Sequence, residues 1–137
     1  MQVNPYSQYK QISVQTASPE QLVVMLYDGA IKFLHLAKEA VARKNMEDTN
    51  KYIGKTQDII NEFIVSLDMS AGEIAHNLYN IYDYWNRRLI QANIKKDPDI
   101  IAEVLGQVQE LREVWAEAAV KSKEGKNLVA GGVNIEG

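Results

Sequence analysis

The stretch Thr16-Ala17-Ser18-Pro19-Glu20-Gln21-Leu22 followed by Val23-Val24-Met25-Leu26-Tyr27-Asp28-Gly29-Ala30-Ile31-Lys32-Phe33-Leu34 constrains this chain more than any other. It opens with a helix-start signal: Ser18 suits an N-cap, Pro19 suits the first helical position, and Gln21 stands where a capping box closes. The helix it starts is too apolar for one core-facing stripe. At about 100° per residue, Leu22, Met25, Leu26, Phe33, Leu36 and Ala40 share a main stripe, of which Leu22, Met25, Leu26 and Phe33 are expected in the core. Val23, Tyr27, Ala30, Leu34, Ala37 and Val41 form a second stripe beside it, and Val24 and Ile31 lie further round. The apolar arc spans roughly 240°, well beyond the ~100° of a helix packed on one side. Such a helix is central in a bundle, or carries surface that another segment covers.

The rest of the chain reads as more helices. Helix 1 is predicted over about Pro19 to Arg43, and Asn45 is a candidate N-cap for helix 2, which carries Ile53, Ile60, Ile64 and Leu67 on its main stripe. The segment Leu67-Asp68-Met69-Ser70-Ala71-Gly72 breaks the pattern as a turn. Helix 3 is predicted from Glu73 to Ile94, with Ile74, Leu78, Ile81, Tyr82, Trp85 and Leu89 on one face. Asp97-Pro98 signals a fourth helix carrying Ile101, Val104, Leu105, Val108, Leu111, Trp115 and Ala118 and ending near Lys121–Lys123. Short turns make neighbours antiparallel, so the expected fold is all-α: an antiparallel up-down four-helix bundle over residues 18–123, with an N-terminal arm (1–17) and a flexible, glycine-bearing C-terminal tail (124–137).

Composition narrows the function. A length of 137 residues suits one domain, and a net charge of −3 argues against nucleic acid as a partner. With no cysteine there is no thiol chemistry or disulfide; neither a secretory leader nor a membrane span is expected, and a cytoplasmic location is. No Gly-x-Ser-x-Gly, Walker-type loop or Gly-x-Gly-x-x-Gly is present, so no catalytic residues are assigned and the chain is expected not to be an enzyme. A di-metal carboxylate centre would need two Glu-x-x-His pairs; Glu73-Ile74-Ala75-His76 supplies one, but His35 has Lys32 three residues before it. No metal or cofactor is therefore expected. Tyr82 and Trp85 fall on the core stripe of helix 3, while Tyr79 and Tyr84 flank it and suit the rim of a groove; Asp83 is placed to pair with Arg87.

Surplus apolar surface is the more informative signal. Helix 2 has a second stripe, Tyr52, Ile59 and Phe63, and helix 4 has Ile100 and Val114 outside its main one. Gly29 falls on the main stripe of helix 1 and permits a close helix crossing, whereas Gly54 and Gly106 lie off the main stripes, where a foreign backbone can approach. Two readings account for this surface equally well: self-burial in a tight bundle or a homodimer, and a groove that receives a partner segment.

Several ordered blocks bring a family into view: Tyr9; Thr16-Ala17-Ser18-Pro19-Glu20-Gln21-Leu22; Met25-Leu26-Tyr27-Asp28-Gly29-Ala30; Asn50; Ile53-Gly54-Lys55; Ile59-Ile60-Asn61-Glu62; Ser66-Leu67-Asp68; Ile74-Ala75-His76-Asn77-Leu78; Leu89-Ile90-Gln91-Ala92-Asn93; and Leu111-Arg112-Glu113-Val114-Trp115. Over about residues 6 to 120 the chain resembles the flagellar secretion chaperones of the FliS type. The resemblance implies a cytosolic helical bundle that binds the disordered C-terminal segment of flagellin in apolar surface grooves, prevents premature polymerisation and aids delivery to the export apparatus, whose components are further expected partners. It implies binding without chemistry. Tyr52, Gly54, Ile59 and Phe63 are the first expected groove residues, followed by Tyr79, Ile90, Ile100 and Val114. Tyr9, Ile12 and Val14 of the arm are expected to cap the groove until the client arrives. The alternatives are a homodimeric helical-bundle module without an export role and, more remotely, a metal-binding bundle.

Overall fold

The computed structural model describes residues 17–130, with side chains through 122. The arm positions Tyr9, Ile12 and Val14 lie outside the described residues. The fold is an all-α four-helix bundle, with no strand among the described residues: α1 (Pro19–Ala42), α2 (Met46–Ser66), α3 (Glu73–Lys95) and α4 (Pro98–Ala130), with a single 3-10 turn at Met69–Ala71.

Each boundary has a local cause. At the start of α1 the capping box closes in both directions: the Gln21 N–H donates to Ser18 Oγ (3.2 Å), and the Ser18 N–H donates to Gln21 Oε1 (2.8 Å). The turn into α2 is made by Lys44 in the left-handed region (φ 59°), after which the Asn45 N–H reaches back to the Ala40 carbonyl (2.9 Å). Asn45 then caps α2 by accepting the Asp48 N–H through Oδ1 (2.9 Å). The predicted turn at 67–72 holds the 3-10 turn, which Asp68 caps by accepting from the Ser70 N–H. α3 closes at Lys96, again left-handed (φ 52°), with the Asp97 N–H on the Ala92 carbonyl (3.1 Å). α4 runs on to Ala130, past the end expected near Lys121–Lys123. Gly125 weakens a helix by about 1 kcal/mol but does not stop one, and the segment contains no proline.

The chain divides into two compact units, Leu26–Glu110 and Met1–Met25 with Leu111–Gly137. Within 26–110, segments of all four helices pack antiparallel, as their pairings show. Gly29 and Phe33 of α1 meet Ile59 and Tyr52 of α2, Asn61 and Asn50 of α2 meet Asn86 and Lys96, and Arg88 and Trp85 of α3 meet Glu103 and Gln107 of α4. In each case ascending numbers on one helix meet descending numbers on the next. The core is centred on an aromatic cluster. Phe63 stacks on Tyr27 (centroids 4.5 Å, 22°) and lies 5.2 Å from Tyr82; Trp85 stands edge-on to Tyr27. The Tyr27 and Tyr82 hydroxyls hydrogen-bond to each other at 2.9 Å. Ile53, Ile60, Leu89, Ile101, Val104 and Val108 complete it.

The core face of α1 departs from the expectation. It is the second stripe, Tyr27, Ala30, Leu34 and Ala37 together with Ala40, that is fully buried. Of the main stripe, Leu26 is 38% exposed and Leu22, Met25, Phe33 and Leu36 are half-buried. Alanines on the inner face let α1 sit close to its neighbours, and the bulky side chains are left to the flank. Ile74, expected on the inner face of α3, is instead exposed in its first turn. In the unit containing the C-terminal half of α4, Ala119 is buried and Trp115 half-buried, while Val114 and Val120 are exposed.

Candidate functional site

The seam between α1 and α2 carries a row of half-exposed apolar side chains in the 26–110 unit. From α1 come Leu26, Gly29, Phe33 and Leu36, three or four residues apart on one helical face; from α2 come Tyr52 and Ile59. Gly29 brings the helices together here: a Cβ on it would stand 3.3 Å from Ile59 Cδ1, tighter than ordinary contact. One turn along, the Phe33 and Tyr52 rings stack with centroids 6.2 Å apart and planes 19° from parallel. Lys55 Nζ stands 5.5 Å from the Phe33 ring centre and Lys51 Nζ 5.3 Å from that of Tyr52.

The expected groove residues do not share one place. Tyr52 and Ile59 meet on the α1–α2 seam, half-buried beside α1. Phe63, expected on the same stripe, is 5% exposed and belongs to the aromatic core, where its ring stacks on Tyr27 and lies tilted against Tyr82. Ile100 is likewise buried (6%): it sits in the first turn of α4, packed inside the unit rather than open to a partner. Gly54 lies on the opposite edge of α2, with nothing within 4 Å of where a Cβ would stand, and Gly106 on α4 is equally open. Tyr79 and Ile90, eleven residues apart and so in line, lie exposed on the outer face of α3, joined by Ile94. Val114 is exposed, but in the other compact unit. Hydrophobicity alone points the stripe of Phe33, Leu26 and Leu36 inward; the alanines of the neighbouring stripe are the signal in the sequence for the opposite arrangement.

The other two seams are polar and read as structural. Between α2 and α3, Asn86 Nδ2 donates to Asn61 Oδ1 (3.0 Å), and Lys96 Nζ donates to Asn50 and Asn93. Between α3 and α4, Arg88 donates to Glu103 through Nη2 (2.7 Å) and Nε (3.1 Å), the Tyr84 hydroxyl donates to the other Glu103 oxygen, and Trp85 Nε1 donates to Gln107 (2.8 Å). The Arg88 and Tyr84 hydrogen bonds hold the Glu103 carboxyl below the usual glutamate range, and the bond to Glu103 raises the Tyr84 phenol. Tyr84, expected at a groove rim, is thus tied down by Glu103. Asp83 and Arg87 pair as expected (3.1 Å). Among the described residues no three His, Asp or Glu side chains converge on a common point, and no helix is long and apolar enough to cross a membrane. The described surface carries one apolar seam, between α1 and α2, and an exposed apolar row on α3.

Residues 2–122 match the family model described as Flagellar protein FliS. This chain belongs to the FliS family. The flagellar secretion chaperone FliS of Bacillus subtilis is 41% identical over 130 residues, covering 95% of this chain and 96% of that protein. The Salmonella typhimurium FliS is 38% identical, covering 83% and 89%, and that of Vibrio cholerae 35% identical, covering 93% and 95%. The match spans α1, α2 and α3 and runs through Ser122 of α4.

Proposed function

We infer that this chain is a cytoplasmic flagellar export chaperone that binds the C-terminal segment of flagellin in apolar surface seams, holds it from premature polymerisation and hands it to the export apparatus. Membership of the FliS family, whose relatives are named flagellar secretion chaperones, carries this reading. The α1–α2 seam supports it, because a half-exposed row of Leu26, Phe33, Leu36, Tyr52 and Ile59 suits an amphipathic segment that folds as it binds. The exposed Tyr79, Ile90 and Ile94 on α3 offer a second, separate row, which suits a client that wraps more than one helix.

The chemistry is association alone. Ordering a disordered client costs conformational entropy, so contact has to be spread over a large apolar area. Calorimetric titration of a flagellin C-terminal peptide into the full chain tests the reading. Ile59→Asp, the milder Leu26→Ser and Ile90→Asp are each expected to weaken binding about tenfold or more, with the helical circular-dichroism spectrum retained in at least Leu26→Ser and Ile90→Asp. Unchanged affinity in all three would remove both rows from the site; a wild type that does not bind the peptide would remove the flagellin reading itself. Sedimentation of the free and peptide-bound protein separates client binding from self-association: a dimer that the peptide leaves intact favours a homodimeric module.

A further inference from the structure

We propose that the α1–α2 seam selects a helical client segment whose apolar face is edged by two carboxylates one turn apart, received by Lys51 and Lys55. The proposal rests on the reading of this chain as a flagellin-binding chaperone, and adds to it which chemistry the seam reads.

The chain as a whole is acidic, with a net charge of −3, yet the exposed edge of the Phe33–Tyr52 pair is basic. Lys51 and Lys55 are both exposed and four residues apart on α2, so they recur at one turn, about 6 Å along the axis. Neither has a carboxylate partner among the described residues; each ammonium stands over an aromatic face instead. Lys32 of α1, the neighbour of Phe33, is exposed as well. The same helix carries Glu47 and Asp48 before the aromatic pair and Asp58 and Glu62 after it; Asp48 is held by Asn45 (3.0 Å) and Arg43 (4.0 Å), and among the described residues none of the four is ion-paired with Lys51 or Lys55.

Lysines in this position do two things. Their aliphatic stems and ammoniums cover half-exposed rings while no partner is bound, a weak and easily exchanged contact at an exposed site. A client side chain that packs on Phe33 and Tyr52 displaces them to the edge of the new contact. A client carboxylate there restores a partner in a partly desolvated setting. A client lysine or arginine meets repulsion. The same residues therefore give both attraction and exclusion, the second of which supplies selectivity.

The test uses the full chain, the flagellin C-terminal peptide, and the same peptide with every Asp and Glu replaced by Asn or Gln. Affinities are measured by calorimetry in ~50 mM and ~500 mM sodium chloride, which brackets strong and weak screening. For Lys51→Gln/Lys55→Gln, about tenfold weaker binding at low salt is expected, converging on wild type at high salt, with Lys51→Arg/Lys55→Arg close to wild type. The amidated peptide is expected to bind wild type as weakly as the acidic peptide binds the glutamine variant, and to be indifferent to the lysines. Equal binding of the acidic peptide by wild type and glutamine variant at low salt overturns the proposal while leaving the flagellin reading in place. Absence of binding to the wild type overturns both. Displacement of the peptide by a single-stranded oligonucleotide at comparable concentration, lost in the glutamine variant, would assign the lysines to nucleic acid and also overturn it.

Discussion

Phe63 separates a fold residue from a docking residue more sharply than any other position. Its spacing from Tyr52 and Ile59 puts it on the surplus stripe of α2, but its ring is 5% exposed and stacked 4.5 Å from Tyr27 and 5.2 Å from Tyr82. Truncation to alanine removes a buried aromatic side chain and leaves a cavity, which costs about 3–5 kcal/mol. The two aromatic contacts place Phe63→Ala at about 4 kcal/mol, since each contributes about 0.5–1.5 kcal/mol beyond its area. Phe63→Leu refills most of the volume without the ring, for about 1–2 kcal/mol. Against a total stability of about 5–15 kcal/mol, the alanine variant is close to the limit of folding and the leucine variant well inside it. Urea titration followed by circular dichroism reads both: at a slope of about 2 kcal/mol per molar, the midpoint falls by about 2 M for alanine and by less than 1 M for leucine. The leucine variant, folded, should retain wild-type affinity for the flagellin peptide. A Phe63→Ala midpoint within about 0.5 M of wild type, combined with lost peptide binding, would refute the core assignment and return Phe63 to the groove.

Three further predictions test the same packing. Gly54→Ala and Gly106→Ala, whose Cβ positions meet nothing within 4 Å, should each raise stability by about 0.5–1 kcal/mol in urea titration, whereas Gly29→Ala, 3.3 Å from Ile59 Cδ1, should gain less than either. A double-mutant cycle of Tyr27→Phe and Tyr82→Phe should return a coupling of about 1 kcal/mol for the buried hydroxyl pair, and a coupling near zero would remove that bond from the account of the core. Because Glu103 has its folded pKa held below the unfolded value of 4.5, its contribution is complete above that value and is lost as pH falls through the depressed one; Glu103→Gln should therefore flatten the acid limb of a stability-versus-pH curve and leave the slope above pH 6 unchanged, by about as much as Arg88→Gln does.

The helices and their ends were legible because their signals are local. Ser18 with Gln21, Asn45 with Asp48, and the break at 67–72 act within four residues, and each produces the cap or turn its chemistry requires. Which stripe of α1 faces inward was not legible. Periodicity ranks faces by hydrophobicity, and Leu26, Phe33 and Leu36 outrank Ala30, Ala37 and Ala40; the outcome depends on how close the neighbouring helices come, a property of the whole bundle. The same limit explains Phe63 and Ile100: both lie off the most apolar line of their helices and are buried nonetheless, because that line is not the middle of the buried arc. Of the surplus stripe of α2, Tyr52 and Ile59 remain half-buried beside α1, whereas Phe63 is in the core.

That arrangement has a consequence for how folding and binding are divided between residues. In most amphipathic helices the largest apolar side chains face the core, so any substitution that alters a binding surface made of them also threatens the fold. Here α1 packs inward through Tyr27, Leu34 and three alanines, while Phe33, Leu36 and Leu26 stand half-buried or exposed at the seam. A half-buried side chain contributes only part of the about 1.5–3 kcal/mol of full burial to stability, and the remainder of its apolar surface is left for a partner to cover. Phe33 and Tyr52 hold each other by stacking and need no client to stay ordered, so the seam is formed in advance and binding does not have to remodel it. Under the proposed function the entropy cost then falls on the client segment alone, and changes at Leu26, Leu36, Lys51 and Lys55 would retune which segments bind while the aromatic core of Tyr27, Phe63, Tyr82 and Trp85 holds α1, α2 and α3 together.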